Sequence, residues 1–176
     1  MIVRPTTLAD LNACLSLDHG TETDHVWQMK VQEGEAQLHV VFQTVRLPRR
    51  MPVVYPRNLE QLVEDWQRGE GFLTAEVDGE VAGYLELVAN PWQHVGRVAN
   101  IAVDRGHRRK GIGTALMRHG RQWAREQGLR LLQAEATTKN YPALAFYRKV
   151  GFQFCGFNDH YYQNQDIALF FVQILR

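Results

Sequence analysis

The stretch Asn100-Ile101-Ala102-Val103-Asp104-Arg105-Gly106-His107-Arg108-Arg109-Lys110-Gly111-Ile112-Gly113-Thr114-Ala115-Leu116-Met117 decides the fold. An apolar run, Ile101-Ala102-Val103, ends in a basic, glycine-punctuated turn that opens directly into an amphipathic helix. Strand, glycine loop, helix is an order that builds an anion site from backbone. The first N–H groups of a helix have no intrahelical partner and carry the positive end of its dipole. Gly111 and Gly113 lack a Cβ, so a phosphate can approach their amides closely, and Arg108, Arg109 and Lys110 add positive charge at the same place. The stretch reads as a pyrophosphate site.

Upstream, Phe72–Val77 and Val81–Val88 flank Asp78-Gly79, a two-residue hairpin signal. Asn90-Pro91 is a turn, and a strand from Val95 to Val103 leads into the glycine loop. Downstream, a helix from Gly111 to Gln127 buries Ile112, Ala115, Leu116, His119 or Gly120, and Trp123, exposes Arg118, Arg121, Gln122 and Arg125, and ends at Gly128. Strands follow at 129–136, 153–157 and 167–174, with a helix between Pro142 and Val150. The first third is less regular. A short strand, Ile2-Val3-Arg4, closes at Pro5, and Thr6 or Thr7 caps a helix over 7–18. Thr21-Glu22-Thr23-Asp24 has the composition of another cap, and 37–47 alternates like a strand. Pro48, Pro52 and Pro56 suggest an irregular connection carrying Arg46, Arg49 and Arg50, where a lid could lie. Asn58 caps a helix through Trp66. The four tryptophans, 27, 66, 92 and 123, read as core or pocket wall.

At 176 residues, 45% hydrophobic and 22% charged, the chain has the size and composition of one globular domain. A net charge of +1 gives no bulk attraction to nucleic acid or an anionic membrane. No run approaches the ~20 apolar residues of a membrane span. The N-terminus lacks a signal-peptide pattern, and Cys14 and Cys155 read as two separate buried thiols, so a cytoplasmic setting is expected. The seven histidines show no paired ligand spacing, so no metal is expected.

Two phosphate-binding patterns fail on the loop: the P-loop spacing is absent, and G-x-G-x-x-G meets Leu116 at its third glycine. What stands is Arg108-x-x-Gly111-x-Gly113. A second stretch, Asn140-Tyr141-Pro142-Ala143-Leu144-Ala145-Phe146-Tyr147-Arg148-Lys149-Val150-Gly151-Phe152, lies one strand and one helix further on. Together the two resemble the GNAT superfamily of acetyl-CoA-dependent N-acetyltransferases, and within it the streptothricin acetyltransferase branch. Arg108, Gly111 and Gly113 match the first family motif; Asn140, Ala143, Phe146, Tyr147, Gly151 and Phe152 match the second. The resemblance covers roughly residues 70–176. It implies an α/β GNAT fold, a mixed twisted sheet of six to seven strands flanked by helices. The whole chain, 1–176, is then a single domain, with 1–70 on the acceptor side and 71–176 as the acetyl-CoA-binding core.

The implied reaction is acetyl transfer to an amine by direct attack in a ternary complex. The resemblance assigns the pyrophosphate to the amides of 108–114, Ile112 and Thr114 included. The pantetheine arm pairs with the strand end Ile101-Ala102-Val103, with Asn140 and Ala143 beside it. Tyr147 stands where the family places its general acid: a thiol has an unperturbed pKa of ~8.5 and a tyrosine ~10, so the phenol can protonate a departing thiolate. The acceptor must lose a proton, since an amine of pKa ~10.4 is neutral in only about one molecule in two thousand at pH 7. Many family members carry a glutamate base where this chain has Arg97. The remaining candidates are Glu86, which strand alternation leaves solvated if Leu85 and Leu87 face the core, and Glu135, as base or as binder of a cationic acceptor. Asp159 and Asp166 are further acidic candidates near the C-terminal strands.

A small, cationic amine is the expected acceptor. Acetylation of a protein N-terminus or lysine, with Tyr161-Tyr162 serving a peptide, is one alternative; a non-catalytic acyl-CoA-binding module is another. Neither nucleic acid nor membrane is an expected partner, and the assembly is left open, a homodimer included.

Overall fold

The computed structural model describes residues 1–55 and 61–175. In chain order its elements are β1 (Ile2–Pro5), α1 (Leu11–Ser16), β2 (Thr21–Gly34), β3 (Gln37–Val53), α2 (Leu62–Gln67), β4 (Gly71–Val77), β5 (Glu80–Asn90), β6 (Val95–Val103), α3 (Ile112–Glu126), β7 (Leu131–Thr137), α4 (Tyr141–Lys149), β8 (Gln153–Asn158) and β9 (Ala168–Ile174). Seven strands form one mixed sheet in the order β1-β4-β5-β6-β7-β9-β8, and β2 and β3 form a separate two-stranded ribbon. The expected mixed sheet flanked by helices is therefore present. No described helix is long and apolar enough to cross a membrane.

Both faces of the sheet are covered. On one, Leu116 and Met117 of α3 and Leu144 of α4 pack with Leu85, Leu87, Val98, Leu132 and Phe171. On the other, Leu11 and Cys14 of α1 and Leu62 of α2 pack with Phe72, Tyr84 and Ala102. Strand alternation assigns these sides, since Tyr84 and Leu85 are neighbours that point opposite ways. The start of α1 is tied to β1. The Asp10 carboxylate accepts from the backbone N–H and hydroxyl of Thr7, each at 2.8 Å, and from Arg4 Nη1 and Nη2 at 2.7 and 2.9 Å. The helix expected over 7–18 is thus shorter, a 3-10 turn at Leu8–Asp10 followed by α1.

One pairing creates the site. β6 runs parallel to β7 but is registered with it only from Val95 to Arg97, opposite Leu131 to Gln133. Beyond Arg97 the two strands part, while β6 stays paired with β5 as far as Val103. The β7-facing backbone edge of Ile101–Val103 therefore borders a notch.

Several expectations are corrected. Thr21–Asp24 is not a cap but the start of β2, because pairing with β3 overrides cap composition. The stretch expected to be an irregular, lid-like connection is largely β3. Thr23 pairs with Met51 and His25 with Arg46, so residues 47–50, with Pro48, Arg49 and Arg50, sit opposite Asp24 alone in a register shift that accommodates the missing proline N–H. Cys155 is exposed, on the edge strand β8, although Cys14 is buried. Trp92 is 79% exposed in a turn and belongs to no core. Arg121 is half-buried, donating to the Val150 carbonyl at 3.3 Å. Pro56 and the Asn58 cap lie outside the described residues.

Candidate active site

The notch opens into a cavity of about 560 Å³ between the end of β6, the start of α3 and α4. Its floor is Ile101, Ala102 and Val103, and its rim is the glycine loop. Asp104 caps a 3-10 turn at Arg105–His107, accepting from the Gly106 N–H at 2.9 Å. The chain then turns through Arg109 at φ 66° and Gly111 at φ 88° before entering α3. The second is a left-handed position favoured by glycine at the N-cap. At Gly113 a Cβ would come within 3.1 Å of the Phe146 ring, so a glycine here lets α4 pack over the first turn of α3. The N–H groups of that first turn point out of the helix beside the cavity. Ile112 and Thr114 line it with the two glycines.

The three basic residues separate. Arg109 is exposed on the rim, and Lys110, also exposed, lies outside the lining. Arg108 turns inward: Nε donates to the Val103 carbonyl at 2.9 Å, Nη1 to that of Gly20 at 2.8 Å, and Nη2 to that of Asp18. Its N–H bonds the Arg105 carbonyl at 3.4 Å. Arg108 therefore ties the glycine loop to the segment before β2, bringing His19 and Thr21 to the cavity wall.

Across the cavity, Asn140 caps α4, its Oδ1 accepting from the Ala143 N–H at 3.2 Å. One turn on, Tyr147 is 5% exposed, with ring centroids of Phe146 and Phe152 at 5.7 and 5.6 Å. A second cavity of about 80 Å³ adjoins the first. Tyr147, Tyr55, Ile101, Asn140 and Ala143 line both, so the two meet beside Tyr147. The smaller one adds Asn100, Glu135, Thr137 and Tyr162. Its wall thus mixes Tyr55 from the first third of the chain with residues of the C-terminal part.

The acidic candidates sort by position. Glu135 faces the smaller cavity, half-buried, with the Tyr161 hydroxyl 3.4 Å from Oε1. Tyr161 stacks edge-on with Tyr162 at 5.0 Å. Glu86 lines neither cavity, and the expectation that it is solvated is corrected. Leu85 and Leu87 do face the core, yet Glu86, on the opposite face, which α1 and α2 cover at Tyr84, is only 3% exposed and accepts from Asn100 Nδ2. Arg97 stands where β6 and β7 are still paired, opposite Val88 and Gln133, and lines neither cavity. Asp159 is paired with His160 at 2.8 Å and Asp166 with Lys139, away from both cavities.

Asn100, Tyr55 and His19 are among the lining residues that escaped the sequence reading. Asn100 carried a signal, a polar residue in an apolar strand. Tyr55, between two prolines, and His19, before a glycine, carried none, because long-range folding brings them in.

The sequence profile of the acetyltransferase (GNAT) family matches residues 41–152. The streptothricin acetyltransferase of Streptomyces lavendulae is 34% identical over 161 residues, covering 88% of this chain and 82% of that protein. The crystal structure of nourseothricin acetyltransferase superposes with a TM-score of 0.86 at 26% identity, over 99% of this chain and 98% of the other. A streptothricin acetyltransferase homologue from Bacillus anthracis, solved with acetyl coenzyme A, shares the fold, with a TM-score of 0.79 at 20% identity over 99% and 97% of the two chains.

Proposed function

The chain belongs to the acetyltransferase (GNAT) family, and from that premise we propose that it moves an acetyl group from acetyl-CoA to the primary amine of a small, cationic molecule by direct attack in a ternary complex. The observation that carries this reading is the meeting of a larger cavity and a smaller one beside Tyr147, with a carboxylate, Glu135, in the wall of the smaller.

Acetyl-CoA supplies the activated thioester; this chain's residues hold it and steer the protons. The first-turn N–H groups of α3 and the αL turn at Gly111 suit a pyrophosphate, with Arg109 at the rim. Arg108 acts less as a phosphate ligand than as the clamp that shapes the loop. The edge of Ile101–Val103 that β7 leaves unpaired suits the amides of a pantetheine arm. Holding both reactants in the two cavities converts a bimolecular step into a local one, worth several kcal/mol.

Glu135 attracts the ammonium into the smaller cavity and takes its proton, directly or through water. The neutral nitrogen attacks the thioester carbon; the C–N bond forms as the C–S bond breaks, Tyr147 gives its proton to the departing sulfur, and the nitrogen's surplus proton passes back to the Tyr147 oxygen, directly or through water, leaving a neutral amide. The similarity to streptothricin acetyltransferase supports a cationic acceptor.

The test is release of free thiol from acetyl-CoA across a panel of small amines, streptothricin-type antibiotics and peptides. Release with small cationic amines is expected. Release with extended peptides alone would make the chain a protein acetyltransferase, and tight acetyl-CoA binding with no release would make it a binding module.

A further inference from the structure

A chain of hydrogen bonds runs behind the acceptor wall, and the reaction as proposed does not use it. Glu86 sits in mid-β5, directly opposite Asn100 on β6. Its Oε2 accepts from Asn100 Nδ2, and Asn100 Oδ1 accepts from the Tyr55 hydroxyl. The Tyr55 ring lies against His19, centroids 5.1 Å apart, and the Tyr84 hydroxyl lies 2.9 Å from His19 Nε2. The pairing steps from Glu86↔Asn100 to Leu87↔Val98, leaving Ala99 as the extra residue of a bulge. Bulges of this kind re-aim side chains beside active sites, and this one lies at the register where Asn100 meets Glu86.

The donors along this chain have one consistent direction. A carboxylate only accepts, so the amide of Asn100 must turn its NH₂ to Glu86 and its oxygen to Tyr55. Tyr55 must then donate its hydrogen to Asn100. Burial pushes the Tyr84 phenol well above the ordinary tyrosine range and lowers the His19 imidazole, so both stay neutral. His19 Nε2 and the Tyr84 hydroxyl pair beside this series, the ring's tautomer setting which of them donates. An amide does not pass a proton along, so the chain orients groups and does not carry protons to Glu86.

We infer that Glu86 is a positioning residue: through Asn100 it fixes the Tyr55 hydroxyl with its hydrogen turned into the wall, so that the phenolic oxygen accepts an N–H of the acceptor amine where the two cavities meet. This rests on the N-acetyltransferase reading above, and it makes Tyr55 a contact residue for the acceptor.

The test is steady-state kinetics of wild type, Glu86→Ala, Glu86→Gln and Tyr55→Phe, using acetyl-CoA and an amine that the wild type turns over, across the pH range in which the protein is folded. Glu86→Ala and Tyr55→Phe are expected to raise the amine KM about tenfold, the size of one hydrogen bond. The acetyl-CoA KM and the acidic limb of kcat/KM should stay in place. Glu86→Gln still offers Asn100 an acceptor oxygen and should recover most of the loss. If Glu86→Gln is as impaired as Glu86→Ala and the acidic limb disappears, Glu86 is the base and the inference is wrong. An unchanged amine KM in Tyr55→Phe also overturns it. If wild type releases no thiol with any amine, the proposed function fails separately, and the crystal structure of Glu86→Ala still decides this point: a Tyr55 hydroxyl swung away from Asn100 supports it, and an unmoved one overturns it.

Discussion

The two cavities are built from different material. The larger presents backbone along one side: the edge of Ile101–Val103 that β7 leaves, the αL turn at Gly111 and the first turn of α3. The smaller is bounded by side chains of distant segments, Tyr55, Asn100, Glu135 and Tyr162. A backbone site suits a ligand whose recognised parts, a pyrophosphate and a row of amides, are the same in every turnover. A side-chain site can be recut for another acceptor without disturbing the first. Tyr147 joins them by lining both, while Arg108 clamps the glycine loop to the segment that carries His19 within the larger one.

Substitutions should therefore separate along this line. The largest effect belongs to the shared residue. Tyr147→Phe is expected to lower kcat a hundredfold or more, roughly the contribution of a general acid, with the acetyl-CoA KM little changed; unchanged turnover under saturating, chemistry-limited conditions would remove the role. Next comes Gly111→Val. A β-branched residue at φ 88° costs about 1–2 kcal/mol locally, and it should raise the acetyl-CoA KM about tenfold while sparing the amine KM. A matching rise in the amine KM would show that the two sides are not independent. Glu135→Gln should act on the amine side instead, lowering kcat through loss of the base and raising the amine KM several-fold, a rise that shrinks as salt screens the wild-type attraction. Titrating the amine at two ionic strengths checks it.

The smallest effect should touch neither KM. Asp10, paired with Arg4, lies outside both cavities, and that guanidinium holds its carboxyl well below the usual range. A depressed folded-state pKa means stability present above the unfolded value of ~3.9 and lost as pH falls toward the folded one. Asp10→Asn should cost about 1–2 kcal/mol at neutral pH, discounted because Arg4 is one-third exposed, and lower Tm by a few degrees. The gap between the two melting curves should close in acid.

The same division explains what could be read from the sequence. β4 to β6, α3 and α4 fall within a few residues of their expected limits, because strand alternation, the Asp78-Gly79 turn and the helix caps are local signals. The glycine loop and Tyr147 belong to that local code. The β2–β3 ribbon was obscured because Thr21-Glu22-Thr23-Asp24 has cap composition and Pro48 and Pro52 have loop composition; only the pairing between the two strands decides otherwise. Glu86 was misjudged because alternation says which face a residue takes but not whether other elements bury that face. Here α1 and α2 do. Arg108 matched the motif by type, yet its three carbonyl partners include two from a segment far away in sequence.

Initial rates measured while acetyl-CoA and a small cationic amine are varied together test the central claim most directly. Direct attack requires both substrates to be bound at once, so double-reciprocal lines should intersect. Parallel lines, with free thiol formed before any amine is added, would mean that the acetyl group passes through the enzyme, and would contradict direct transfer.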